Sequence, residues 1–485
     1  MKTFDTVAKL KLAKLKEGQF VETGGYSAKG DGGAARYLIV TPQSFDGYGD
    51  HELANGNVAV LQETKARSKR HGLVGDGVAD DTLAIQAFRD FLSANPSVEL
   101  VFDEGRYKYT TSPNWAIDKT IVTFEGDVTF YKVGAGTALI FDSGTSGLTF
   151  DFRFGWGNRV NVEGDESSYG GVYVRSCHHC KIGANVRGCG ATFDAFRVEF
   201  SVLGEYDFVA STNQVNTFST QPLRGLYVGR RGTGGDATSA CIFYNLIIEG
   251  VSGDGVVVDY GIKNLFLGGT TEGNGNTNLI CTANSDTNTF QGIDLEVAGS
   301  GTGLSDAGAG NTFNDVLNDA QTTIEATAVN SSVVGGVYDA IVNYGKGSSF
   351  TDFSYSSQGG AFTDSGTMTT VRDAYYLLGA RYFPNNKTQG RNDFITTESF
   401  PYTWGTPAGV PGFSKRTALP VTGVKAGDIV TATSLTTAAA GFIPTPSCEC
   451  TTDGQIEITY TQLTGAAASP LSSGSDFVIS VRGTD

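Results

Sequence analysis

Proline is scarce in this chain, with 12 in 485 residues, and methionine scarcer, with 2. The 65 glycines follow no G-X-Y period, which excludes a collagen-like rod. The 7 cysteines are odd in number and scattered, so they read as free thiols of a protein assembled in a reducing compartment. No run of about 18 apolar residues occurs, so no membrane-spanning segment or membrane insertion is expected. The N-terminus lacks a basic start, apolar core and small-residue cleavage site, so no export signal is expected. Basic charge is also in deficit, with 35 Lys and Arg against 51 Asp and Glu, a formal net charge of -16. Binding to nucleic acid or an anionic membrane needs clustered cations, and Lys65 to His71 and Arg230-Arg231 are too short to supply them.

What is present fits an all-β protein. A hydrophobic content of 40% excludes disorder, and 30 Phe with 20 Tyr among many glycines suggests short strands joined by tight turns. Residues 1 to about 65 read as a small mixed domain, with helical spacing from Phe4 to Phe20 and a strand-like Arg36 to Val40. Next, Gly75-Asp76-Gly77-Val78-Ala79-Asp80-Asp81-Thr82 leads into Leu83 to Leu92. There Ile85, Phe88 and Leu92 form one helical stripe, and Asp80 or Asp81 can serve as N-cap. A single amphipathic helix before a long strand-rich run would cover the open end of a β-solenoid.

The stretch GDGVADDTLAIQAF, Gly75 to Phe88, resembles the start of pectate-lyase-like β-helix proteins, especially phage tailspikes and capsule depolymerases. The preceding segment from Glu17 to Ile39 resembles the small neck domain of tailspikes. Together they span roughly residues 1 to 105 and include no catalytic residue. The resemblance implies a right-handed parallel β-helix over 71–370, after a neck or attachment domain at 1–70 that meets phage tail or baseplate proteins. Residues 371–485, whose alternating Leu419 to Val424, Asp428 to Leu435, Gln455 to Leu463 and Asp476 to Arg482 read as β-sandwich strands, would trimerise the chain or bind carbohydrate. It further implies a homotrimer of the virion tail, assembled in the host cytoplasm, that binds and depolymerises a bacterial surface polysaccharide without a cofactor.

A repeat supports the solenoid independently. Segments starting at Cys241, Asn264, Asn288, Asn311 and Ser331 align in steps of 23, 24, 23 and 20 residues. Two positions on stands an apolar residue: Phe243, Phe266, Phe290, Phe313 or Val333. Four on is a turn former: Asn245, Gly268, Gly292, Asp315 or Gly335. Eight on is a carboxylate: Glu249, Glu272, Glu296, Asp319 or Asp339. Such a period reads as one coil, with the apolar residues stacked inward and the carboxylates forming a line up one outer face. After the turn, Leu246, Ile293, Leu295 and Val316 would point inward, so Asp294 and Glu296 would point outward together.

Carboxylates crowded in this way suit glycoside hydrolysis, which needs one protonated and one ionised carboxyl group. Glu249, Glu272, Asp294 and Glu296 are the candidate catalytic residues. Asp294 and Glu296 would lie about 6 to 7 Å apart and Glu272 and Glu296 about 5 Å, spacings at the inverting and retaining ends respectively. Inversion is favoured, with Glu272 or Glu296 as acid and Asp294 helping to activate water. The bland alternative is a wet corner where stacked carboxylates are merely solvated.

Trp156, Tyr173, Tyr227, Tyr244 and Tyr260 could line a sugar-binding groove beside the ladder, although each could equally be ordinary packing. Arg175, Arg197 or Arg224 could meet an acidic sugar. Residues 153 to 170 read as a long surface loop. Cys177-His178-His179-Cys180 looks like half of a metal site without its second pair, so a plain strand is expected there and no metal. Two other functions compete with hydrolysis. One is a lyase acting on a uronate polymer, with calcium on the ladder as an option. The other is a non-cleaving adhesin.

Overall fold

A computed structural model of the chain describes residues 1–45, 49–63, 65–144, 147–165, 171–188, 190, 194–211, 221–296, 299, 301–355, 361–367 and 369–372, and beyond them the backbone of the strands named below. The chain divides into two units, Met1–Leu304 and Ser305–Asp485.

In the first unit, five short strands form a sheet in the order Lys2–Phe4, Phe20–Thr23, Arg36–Val40, Val58–Leu61, His51–Glu52. Alternation buries Val21, Tyr37 and Ile39 on one side of it. The helix expected across Phe4 to Phe20 is confined to Val7–Lys11, started by Thr6, whose side chain accepts from the Lys9 N–H. Its buried stripe of Val7 and Leu10 would next reach Lys14 and Glu17, so a longer helix would bury nothing more.

The second helix, Thr82–Ala94, buries Ile85, Phe88 and Leu92 as the stripe predicts. Asp81 stands at its N-cap but does not cap it. Its carboxylate accepts instead from the N–H groups of Val74 and Gly75, at 2.7 and 3.1 Å, and Asp80 accepts from Thr82 N–H at 2.9 Å. The Phe88 ring meets Phe102 edge-on at 5.3 Å, which closes the end of the tube beyond it.

That tube is a parallel β-helix with three faces. The first face stacks Glu99–Phe102, Ile121–Phe124, Arg153–Phe154 and the leading parts of Lys181–Gly188, Glu205–Ser211, Ile242–Glu249 and Leu265–Glu272, then Thr289–Gln291. The second face stacks Gly105–Tyr109, Val128–Lys132, Val160–Gly164, the trailing parts of the same long strands, and Asp294–Glu296. The third runs Leu139–Asp142, Val172–Arg175, Asp194–Glu199, Arg224–Gly229, Val256–Val258, Leu279–Cys281. Residues 153–164, expected as loop, thus contribute Arg153–Phe154 and Val160–Gly164 to two faces, while 166–170 lie outside the described residues.

The repeat falls in register. Phe243 pairs with Phe266 and Phe266 with Phe290, and their buried rings stack at 4.6 and 4.5 Å, within 12° of parallel. These three coils bend between the first and second faces at a left-handed residue: Asn245 at φ 46°, Gly268 and Gly292 at 64°. Glycine or asparagine is what such a backbone tolerates. The residues that open the repeats form a second, polar stack. Asn264 and Asn288 are buried, the Asn264 amide donates to Asn288 Oδ1 at 3.0 Å, and Asn264 Oδ1 accepts from Cys241 N–H at 3.0 Å. Stacked amides satisfy buried backbone groups at that corner.

In the second unit Thr312–Asn314, Ser332–Val334, Ser349–Thr351 and Thr370–Arg372 stack in parallel, pairing Phe313 with Val333 and Val333 with Phe350. Asp315 and Gly335 are again left-handed, at 51° and 65°. Asn318 pairs with Tyr338, but the register slips by one residue before Gln321, so Asp319 and Asp339 sit at an irregularity. Farther on, six antiparallel strands run in the order Phe394–Ser399, Asp476–Arg482, Ile429–Ser434, Phe442–Thr452, Gln455–Gln462, Ser414–Pro420. The last replaces the strand expected over Leu419 to Val424, whose residues 421–424 lie outside the described set.

Candidate functional site

The second face carries the carboxylates. Glu249 pairs with Glu272 and Glu272 with Glu296, on three consecutive rungs. Asp294 pairs with Thr270 on the adjacent outward row. Between these rows Ile248 and Leu295 point into the core, so all four acids face out and are half-buried. Burial pushes the Glu272 carboxyl above its ordinary range, and the neighbouring charges of Glu249, Glu296 and Asp294 push it further. A hydrogen bond to Glu296 acts in the same direction. The middle rung is therefore the one biased toward holding a proton.

The next rung holds Ser211, which pairs with Glu249 and donates from Oγ to Glu249 Oε2 at 2.6 Å. Ser211 is not marked by the sequence pattern, because the coil before Cys241 breaks the repeat. The Asp294 row continues through Thr270, Ile247, Val209, Asn185 and Asn161.

The five aromatic candidates do not gather beside this ladder. Trp156, in the turn between first- and second-face strands, meets Tyr244 of the first face at 5.8 Å, ring edge to face, with Lys181 Nζ 5.3 Å from the indole centre. Tyr173 and Tyr227 belong to the third face, and Tyr260 to the turn after it. There they sit in a network of opposite charges. Tyr173 donates to Glu199 and Tyr227 to Asp259, both at 2.8 Å. Arg197 bonds Glu199 and Asp194, Arg224 bonds Asp194, and Arg175 bonds Asp142. The Arg197 and Arg224 guanidinium groups cover the Tyr227 ring at 4.6 and 4.3 Å, and Arg230 covers Tyr260 at 3.8 Å. Burial and the Asp259 carboxylate push the Tyr227 hydroxyl up to about 12. The hydroxyls and rings of Tyr173 and Tyr227 are thus already engaged within the protein, as are Arg175, Arg197 and Arg224.

The Cys177-His178-His179-Cys180 segment splits between inside and outside. Both thiols are buried, Cys177 against the Arg175 carbonyl at 3.4 Å and Cys180 against the Tyr206 hydroxyl at 3.4 Å. The His178 and His179 rings instead pack on Phe150. Among the described residues no group of three or more His, Cys, Asp or Glu is placed to hold a metal ion.

Stacked parallel coils with outward polar rows are a surface on which extended polymers can lie. The fold is a parallel β-helix, and the solved structures similar to this chain include phage tailspikes, each with a TM-score below 0.5. The Acinetobacter phage vB_ApiP_P1 tailspike protein is 15% identical with a TM-score of 0.49, over 99% of this chain and 98% of that one. The enzymatically active domain of bacteriophage CBA120 tailspike protein 2 is 11% identical with a TM-score of 0.47, over 98% and 82%. The A-module of the Azotobacter vinelandii mannuronan C-5 epimerase AlgE6 is 15% identical with a TM-score of 0.48, over 64% and 99%. No protein-family model and no curated protein matches the sequence.

Proposed function

We propose that the chain is a phage tailspike, a homotrimer attached through its N-terminal domain to tail or baseplate proteins, that hydrolyses a bacterial surface polysaccharide on its second face. The observation that carries this reading is the outward stack of Glu249, Glu272 and Glu296 with Asp294 beside it, where the middle carboxyl is pushed up by burial and then by its neighbours. Like charges one rung apart destabilise the folded chain. The same repulsion, added to burial, favours the protonated form of the Glu272 carboxyl.

Glu272 then serves as the acid that protonates the departing glycosidic oxygen. Asp294 lies one rung away and two residues back, a diagonal of about 8 Å between backbones, which leaves room for a water molecule in the inverting arrangement. Glu296, directly opposite Glu272, holds the shared proton on the acid and adds negative charge beneath a developing oxocarbenium ion. Trp156 and Tyr244 offer the aromatic surface for sugar C–H groups. Tyr173, Tyr227 and Tyr260 serve the internal network instead.

Digestion of candidate capsules and O-antigens by wild type, Glu272→Gln and Asp294→Asn, with product masses recorded, tests this. Wild type is expected to give fragments heavier by one water per cut, and both folded variants to leave the polymer long. Ultraviolet-absorbing products would replace hydrolysis with elimination. Full activity in both variants would remove the site.

A further inference from the structure

The corner between the first and second faces opens, ahead of the ladder, into a cavity of about 570 Å³. Asp127, Arg159, Asn161, Asn185, Arg187 and Asp207 line it. Most of these groups are committed to one another. Arg159 pairs with Asp207 at 2.5 Å, Asn185 donates to Asn161 Oδ1 at 3.1 Å, and Asn161 donates to Asp127. Arg187 is the exception. It has no ion pair among the described residues, and its Nε, like that of Arg159, is buried without an acceptor. The cause is local: the register between Val160–Gly164 and Lys181–Gly188 shifts after Val162, so Arg187 is the extra residue of a bulge. Bulges re-aim side chains in this way, and they cluster near binding sites.

We propose that this cavity is a subsite for a carboxylate-bearing sugar, a uronate or similar acidic unit of the polymer, with Arg187 as its specificity determinant. The proposal rests on the reading that the second face binds polysaccharide. A planar guanidinium matches a carboxylate in two parallel hydrogen bonds, and a buried N–H without an acceptor gains most from receiving one. The amides of Asn161 and Asn185 suit ring hydroxyls. Trp156 immediately precedes the Gly157-Asn158-Arg159 wall, and its partner Tyr244 is in register with Asp207 of the opposite wall, so an aromatic rim borders the cavity. Arg187 comes directly after Val186, which pairs with Ala210, and Ala210 pairs with Ile248 of the Glu249 coil. The Arg187 backbone therefore stands three rungs, about 14 Å, along the axis from Glu272. One extended glycan can occupy both.

The test uses a glycan array of uronate-containing bacterial oligosaccharides, each printed beside its carboxyl-reduced copy, probed with the Glu272→Gln chain so that nothing is cut. Binding is expected to uronate glycans, lost on carboxyl reduction, weakened roughly tenfold or more by adding Arg187→Gln, and partly restored by Arg187→Lys. Binding indifferent to carboxyl reduction, binding of neutral glycans alone, no binding at all, or full binding by a folded Arg187→Gln chain would each overturn it. Its failure is separable from failure of the hydrolytic reading. Loss of the carboxylate requirement leaves cleavage by wild type intact, whereas polymer cleavage by Glu272→Gln removes the catalytic assignment and leaves the carboxylate requirement to be judged separately, from native against carboxyl-reduced glycans.

Discussion

The second and third faces belong to the same coils and both present acids to the outside, yet they arrange them oppositely. On the third face, Asp194 and Glu199 are only 5% and 6% exposed, and each is held by arginine. Arg197 bridges them, while tyrosine hydroxyls and ring faces close the remaining gaps. On the second face Glu272 has carboxylates on the rung before and the rung after. Compensated charge this well buried is what a fold uses to fix its own packing. Charge stacked on like charge costs stability instead. Residues that composition alone treats alike are thereby separated into two kinds.

The largest effect is expected from the second face. Glu272→Gln should lower the rate of polymer cleavage by about 10² to 10⁴-fold, the usual contribution of a general acid. Its melting temperature at neutral pH should hold or rise. The sign comes from the raised pKa: a carboxyl that resists ionising in the folded chain contributes stability at low pH and loses it as pH climbs through the folded value. A neutral amide escapes that loss.

Arg197→Met should behave the other way round. Removing the guanidinium leaves two buried carboxylates short of a partner, at a cost of about 2 kcal/mol in denaturant unfolding after allowance for its partial exposure. Cleavage per folded molecule should be unchanged. An Arg197→Met chain that melts normally but binds no polysaccharide would show that the third face is a ligand surface after all. A finer version is Tyr227→Phe, which deletes one hydrogen bond to Asp259 and should cost about 1 kcal/mol with no effect on cleavage.

How far the sequence discloses this arrangement depends on repetition. Phe243, Phe266 and Phe290 are readable as a stack because equal steps put like residues on successive rungs, and the left-handed corners at Asn245, Gly268 and Gly292 leave their own residue preference. The capping helix is readable through Ile85, Phe88 and Leu92. The asparagine stack at 264 and 288 has the same period, but Cys241 and Ser331 at the equivalent positions disguise it as a mere polar start to each segment. Between residues 100 and 240 the coils vary in length. There no spacing says whether Tyr173 or Tyr227 shares a face with Glu249, and only the register, such as Arg197 opposite Tyr227, places them. Two-residue strands such as Arg153–Phe154 carry no alternation to detect, and neighbouring rungs hold them in place. Arg187 is hidden for a related reason, since a bulge is a property of two strands and not of one.

The claim that neighbouring rungs make Glu272 an acid is tested most directly by the alkaline limb of the pH–rate profile in wild type and Glu249→Gln. Removing one flanking charge should move that limb to lower pH, because Glu272 then ionises more easily. An alkaline limb that stays where it was, or moves to higher pH, would contradict the account.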